Sequence, residues 1–173
     1  MRRAIVICSA AAIVLTGCSS NATGSFSYAP VSGMLPALGG QTLQGGTLSP
    51  DQYRGRVVVV NFWNYDCPPC RREQPVLQQA WERLRAKGVS VIGVMYTGGG
   101  WPASQSAAAD YVTAQGVTYP AIVDAGSVLS RSFRIPGIPT TVIADRTGHL
   151  RYRVLGPLKP GELESIIATL GSP

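Results

Sequence analysis

An α/β fold with a mixed central sheet flanked by helices is what this 173-residue sequence predicts. Two apolar runs, Val57–Trp63 and Val89–Tyr96, lack polar alternation, as strands buried on both faces do. Between them apolar residues recur at helical spacing. Downstream, two further strand-like runs flank a tight turn and lead to a closing amphipathic helix, so strands alternate with helices and the chain ends in a hairpin and a helix.

Taken in chain order, Gly39-Gly40 and Gly45-Gly46 punctuate short segments and predict a turn between two edge strands. Val57–Trp63 is the first buried strand. A helix follows it, because Pro68 and Pro69 occupy a first turn that has no use for their missing N–H groups. Val76, Leu77, Ala80, Trp81 and Leu84 then line one face. Pro75 falls inside the pattern and predicts a kink. Arg83, Arg85 and Lys87 suit the negative end of the dipole, and Gly88 supplies a stop.

Past the second buried strand, Gly98-Gly99-Gly100 predicts a loop, and Pro102 to Gln115 an Ala-rich helix ending at Gly116. Trp101, in that loop, caps the core or lines a groove. Tyr119–Val123 reads as a short strand and Ser127–Phe133 as a helical turn or two. Thr140–Ala144 and His149–Leu155 flank Asp145-Arg146-Thr147-Gly148, a hairpin turn. Leu163, Ile166, Ile167 and Leu170 give the closing amphipathic helix.

The N-terminus stands apart from this pattern. Arg2 and Arg3 precede a short apolar run, Ala4–Leu15, as in a secretory signal and too short to span a bilayer as a mature helix. Leu15-Thr16-Gly17-Cys18 resembles the lipobox of bacterial lipoproteins, which implies cleavage after residue 17 and lipid on Cys18. An ordinary cleaved signal or a retained anchor is the alternative. Residues 18–32, rich in Ser, Asn, Ala, Thr and Gly, read as a tether, and 33–173 as the folded domain. At 45% hydrophobic and 14% charged the composition supports a packed core. The formal charge of +6, about +4 without Arg2 and Arg3, is spread without a nucleic-acid motif, so no such partner is expected.

Cysteine usage then narrows the chemistry. Cys8 lies in the leader and Cys18 at the lipobox, which leaves Cys67 and Cys70 as the thiols of the domain. Cys67-Pro68-Pro69-Cys70 sits where a buried strand gives way to a helix N-terminus. There N–H groups and the helix dipole stabilise a thiolate, and the two-residue spacer lets the second sulfur close on the first. Cys67 should face outward and attack, and Cys70, one turn on and more buried, should resolve. Closing so small a loop removes little chain entropy, so a purely structural disulfide there would be a poor staple.

Val59-Val60-Asn61-Phe62-Trp63, the Cys-Pro-Pro-Cys-Arg run, Glu73 and Pro75 together resemble the TlpA/ResA branch of the thioredoxin superfamily. So does Gly137-Ile138-Pro139-Thr140-Thr141-Val142 followed by Asp145 and Gly148. The resemblance implies a thioredoxin-like fold and extracytoplasmic thiol–disulfide exchange with protein substrates, fed by an upstream thiol donor. It implies a membrane-anchored protein; with the lipobox, lipid on Cys18 is expected to hold it at the outer face of the membrane, and a monomer is expected. Apocytochrome c is one substrate the family handles. It also implies a cis Ile138–Pro139 bond beside the cysteines, with Ile138, Pro139 and Trp63 as substrate-contacting residues.

Two departures stand out. Asp66 replaces the tryptophan that the family usually places before the first cysteine, and Asn61 replaces the buried acid of thioredoxins. No familiar buried carboxylate is evident, which leaves Asp66, or water, as candidate proton acceptor for Cys70. A negative Asp66 opposes thiolate formation at Cys67, Pro69 adds no N–H, and no histidine lies between the cysteines. These features favour a reductant or a mildly poised exchanger, with an oxidant or isomerase as the alternative. Zinc needs four ligands and no second Cys/His pair accompanies this one, so no metal and no cofactor is expected. His149, the sole histidine, reads as a surface residue, which weakens copper-binding or hydrolase alternatives. A non-catalytic binding module would usually have lost a cysteine or the loop proline.

Overall fold

A computed structural model describes residues 28–171. Eight strands and four α-helices follow in the order β1 (Tyr28–Pro30), β2 (Gly40–Gln41), β3 (Thr47–Leu48), β4 (Val57–Trp63), α1 (Pro68–Leu84), β5 (Val89–Met95), α2 (Gln105–Ala114), β6 (Ala121–Val123), α3 (Val128–Ser132), β7 (Thr140–Ala144), β8 (Leu150–Leu155) and α4 (Glu162–Ala168). The leader over 1–17, Cys18 and the first part of the expected tether lie outside the described residues.

Six strands form one mixed sheet in the order β1-β8-β7-β4-β5-β6. The β4–β5 and β5–β6 pairs are parallel, and β4–β7, β7–β8 and β1–β8 antiparallel. Every residue of β4, β5 and β7 is buried, which explains why β4 and β5 read as continuous apolar runs. Alternation along β4 separates two cores. Val57, Val59 and Trp63 pack with Leu77, Ala80, Ala108, Val112, Leu163 and Ile166 of α1, α2 and α4. Val58, Val60 and Phe62 pack on the opposite side with Leu38, Leu48, Tyr53 and Phe133. By the same alternation Asn61 is turned toward the α1 side.

The strand β1 corrects the expected boundary at residue 33. Tyr28–Pro30, assigned to the tether, pairs with Val154, Arg153 and Tyr152 of β8, and Tyr28 meets the Tyr152 ring edge-on at 5.1 Å. All three residues are exposed at the sheet edge, where a proline is tolerated and no apolar pattern is demanded. At the other edge, Leu43 donates its N–H to the Ala121 carbonyl and Gln44 bonds to both Tyr119 and Ala121. The β2–β3 turn thereby covers β6, the usual protection for an open edge.

The helix α1 runs uninterrupted through Pro75, and Gly88 closes its last turns in the left-handed conformation at φ 78°. Asp145 takes up the turn between β7 and β8: its backbone N–H bonds to the His149 carbonyl, and its carboxylate accepts from the N–H groups of Thr147 and His149.

Candidate active site

At the C-terminal end of β4 the chain turns through Asn64, Tyr65 and Asp66 into Cys67, the N-cap of α1. Asn64 is fully buried and organises this turn. Its Nδ2 donates to the carbonyls of Tyr96 at 2.8 Å and Pro102 at 2.9 Å, and its Oδ1 accepts the Asp66 N–H at 3.0 Å. The loop after β5 is thereby tied to the loop that carries the cysteines.

Cys67 and Cys70 are joined by a disulfide, their Cα atoms 5.3 Å apart. Cys67 has extended backbone and its Sγ accepts the Cys70 N–H at 3.3 Å, the place a capping oxygen usually takes. The same N–H and the positive end of α1 would hold a thiolate at this sulfur once the bond is reduced. The expected contrast in burial is not found. Both cysteines are 1% exposed, because the capping geometry folds Cys67 back over the first turn, inside the cluster that Tyr65, Trp101 and Ile138 cover.

Trp63, expected to touch substrate, is 2% exposed. Alternation along β4 points it into the α1-side core, where it lies against Tyr111 of α2 with ring centroids 5.4 Å apart. Arg71 sits over the same Tyr111 ring, 5.7 Å from its centroid. Trp63 supports the site from beneath rather than lining its surface.

Asp66 remains exposed in the loop. The carboxylate buried beneath the cysteines is Glu73, three residues beyond Cys70 and therefore on the same face of α1. Its Oε1 accepts from Asn61 Nδ2 and its Oε2 from the Leu158 N–H, each at 2.8 Å. Burial pushes its pKa from 4.5 up to about 7, against the downward pull of the Leu158 and Asn61 hydrogen bonds, with Glu162 adding a small upward push. In the sequence Glu73 stands out only as part of the family pattern. The signal that points to it is a carboxylate on a helix face otherwise held by Cys70, Leu77, Ala80 and Leu84. Gln74, on the same buried side, donates to the hydroxyl of the fully buried Tyr119.

The Ile138–Pro139 bond is cis. Pairing of Thr140 with Phe62 places Pro139 at the end of β4 from which the cysteine loop departs. Pro139 is buried and its carbonyl accepts the Gly156 N–H at 3.0 Å. Ile138 is half-buried, and among the described residues its backbone N–H and carbonyl make no hydrogen bond. His149 is exposed, its Nδ1 beside the Thr147 hydroxyl at 2.8 Å and well along the sequence from the cysteines.

A thioredoxin-like sheet with a cysteine pair capping the helix after its central strand defines a thiol–disulfide oxidoreductase. The chain belongs to the AhpC/TSA family, whose sequence pattern matches residues 31–153. It is similar to the thiol-disulfide oxidoreductase ResA of Geobacillus kaustophilus, 26% identical over 122 residues that cover 70% of this chain and 67% of that one. It is also similar to the sporulation thiol-disulfide oxidoreductase A of Bacillus subtilis, 24% identical across 72% of this chain and 73% of that one. Among solved structures, a thiol:disulfide interchange protein of the thioredoxin family from Chlorobium tepidum superposes with a TM-score of 0.69 at 27% identity, covering 82% of this chain and 98% of that one.

Proposed function

We propose that this oxidoreductase works as an extracytoplasmic reductant of protein disulfides, with Cys67 as attacking thiol, Cys70 as resolving thiol and Glu73 as the acceptor of the Cys70 proton. The observation that carries the reading is the capping geometry: Cys67 Sγ takes the Cys70 N–H at the head of α1, with Glu73 buried one turn further along. A reduced Cys67 thiolate attacks a substrate disulfide and forms a mixed disulfide. Cys70 then attacks Cys67, releasing the substrate thiolate, and gives up its proton to a carboxylate poised near neutral pH.

The unpartnered backbone of Ile138 supports its reading as a docking strand for an extended substrate segment, with Pro139 holding it in place. Main-chain pairing makes few demands on substrate side chains and suits several partners. Lipid on Cys18 would hold the domain at the outer membrane face, and among the described residues no helix is long and apolar enough to cross a membrane. The intact mass of protein taken from membranes reads this directly: an unmodified Cys18 sinks it.

Trapping tests the assignment of the thiols. Cys70→Ser should accumulate mixed disulfides through Cys67, and Cys67→Ser few; equal trapping by both overturns it. The reduction potential tests direction. A value near the roughly −270 mV of thioredoxin supports a reductant, and one near the roughly −120 mV of DsbA makes the protein an oxidant.

A further inference from the structure

We propose that Asn61 is a positioning residue for Glu73, its carboxamide turning over each time Glu73 gains or loses a proton. The inference rests on the reading of Glu73 as proton acceptor and deepens it.

Asn61 lies in the middle of β4, between Gly93 of β5 and Thr141 of β7, and is fully buried. Its Nδ2 donates twice, to Glu73 Oε1 at 2.8 Å and to Thr141 Oγ1 at 3.0 Å. Its Oδ1 is buried among the described residues with no hydrogen-bond partner. An orphaned buried amide oxygen is costly and calls for a reason.

The reason lies in the proton traffic at Glu73. Both of its oxygens now accept, which fits a carboxylate: Oε1 from Asn61 and Oε2 from the Leu158 N–H. The Leu158 donor is backbone and can only donate, so a proton arriving on Glu73 settles on Oε1, where it confronts Nδ2 donor to donor. A half-turn of the carboxamide removes the conflict. Oδ1 then accepts from Oε1–H and from the Thr141 hydroxyl, whose hydrogen rotates freely. The side chain keeps its shape, and one end of the amide is unpaired in either orientation. An aspartate at this position has no donor for the carboxylate, and an aliphatic residue serves neither state.

Other ionisable groups face Glu73: Glu162 on α4, Tyr111 on α2 and Tyr119 ahead of β6, with Arg71 reaching Tyr111 from α1. Of these, Glu162 acts on Glu73 through charge, whereas Asn61 and Leu158 supply its hydrogen bonds. The balanced step is resolution of the mixed disulfide. The Cys70 sulfur forms the bond to Cys67 Sγ as its proton passes to Glu73 Oε1. The bond from Cys67 to the substrate sulfur breaks, and that sulfur leaves with the electron pair as a thiolate.

Nuclear magnetic resonance on the reduced protein tests this, following the Glu73 carboxyl carbon and the Asn61 side-chain amide across pH. The two signals should move together with one midpoint. An Asn61 amide that stays still while Glu73 titrates overturns the proposal, without requiring any variant to fold. Asn61→Leu removes a donor that favours the carboxylate, so its Glu73 midpoint should rise by about one pH unit. Resolution of a preformed Cys67 mixed disulfide should then slow roughly fivefold at pH 7 and recover at high pH. A slowing that is uniform across pH marks a merely structural residue and overturns the proposal as well. Glu73→Gln separates the two readings. If it leaves resolution unchanged at every pH, the acceptor role of Glu73 fails; if it slows resolution while the wild-type Asn61 amide stays still as Glu73 titrates, only the turnover of Asn61 fails.

Discussion

Glu73 and Leu158 lie 85 residues apart in the chain, yet the carboxylate Oε2 accepts the Leu158 N–H at 2.8 Å in the buried core. The contact ties the helix that presents the cysteines to the segment leading into α4. The group proposed to take up the Cys70 proton is thus also a structural clamp, and its ionisation bears on stability.

The native state holds the Glu73 proton up to about pH 7, whereas an unfolded glutamate holds it only below about 4.5. Between those values the native protein binds more protons than the unfolded one, so the contribution of Glu73 to stability is full below pH 4.5 and declines as pH rises to 7. Denaturant titrations of the wild type between pH 4.5 and 8 should show that decline. Glu73→Gln should flatten it; an equally steep decline in the variant would remove Glu73 as its source.

Gly93 sits where a side chain has no room. A Cβ there would lie 2.9 Å from Trp63 Nε1, 3.2 Å from Ala121 Cβ and 3.3 Å from Tyr119 Cε2, all of them buried groups. Gly93→Ala should destabilise the protein by about 1–3 kcal/mol and displace the Trp63–Tyr111 stack beneath the cysteines. Chemical denaturation together with tryptophan fluorescence measures both effects, and unchanged values of each refute the prediction.

Asp145 acts at the far end of the pH range. Burial raises its pKa, but hydrogen bonds from Thr147, Arg151 and the His149 backbone outweigh this and hold it down at about 2. Its contribution is therefore present above the ordinary 3.8 and lost as pH falls toward 2, a window separate from that of Glu73. Asp145→Ala should cost about 1–2 kcal/mol at neutral pH, since it strips a charged acceptor from the β7–β8 turn. Urea unfolding of the variant at neutral pH and at pH 3 checks this: the deficit relative to wild type should shrink at the lower pH.

Local pattern in the sequence already determined the buried strands β4, β5 and β7, the helix opened by Pro68 and Pro69, the Asp145 turn and the Cys67–Cys70 pair, because periodicity, turn chemistry and motif spacing are properties of neighbouring residues. Tertiary structure alone decided the rest. Tyr28–Pro30 becomes a strand only because β8 offers an open edge, and no apolar rhythm marks it beforehand. Trp63 and Cys67 are drawn inside by strand alternation and the capping turn. The Asn61–Glu73–Thr141 cluster joins β4, α1 and β7, and Leu158 comes from the far end of the chain. A carboxylate is expelled to solvent unless partners await it in the core, and those partners are set by strand register and helix packing, which residue order carries only through the completed fold.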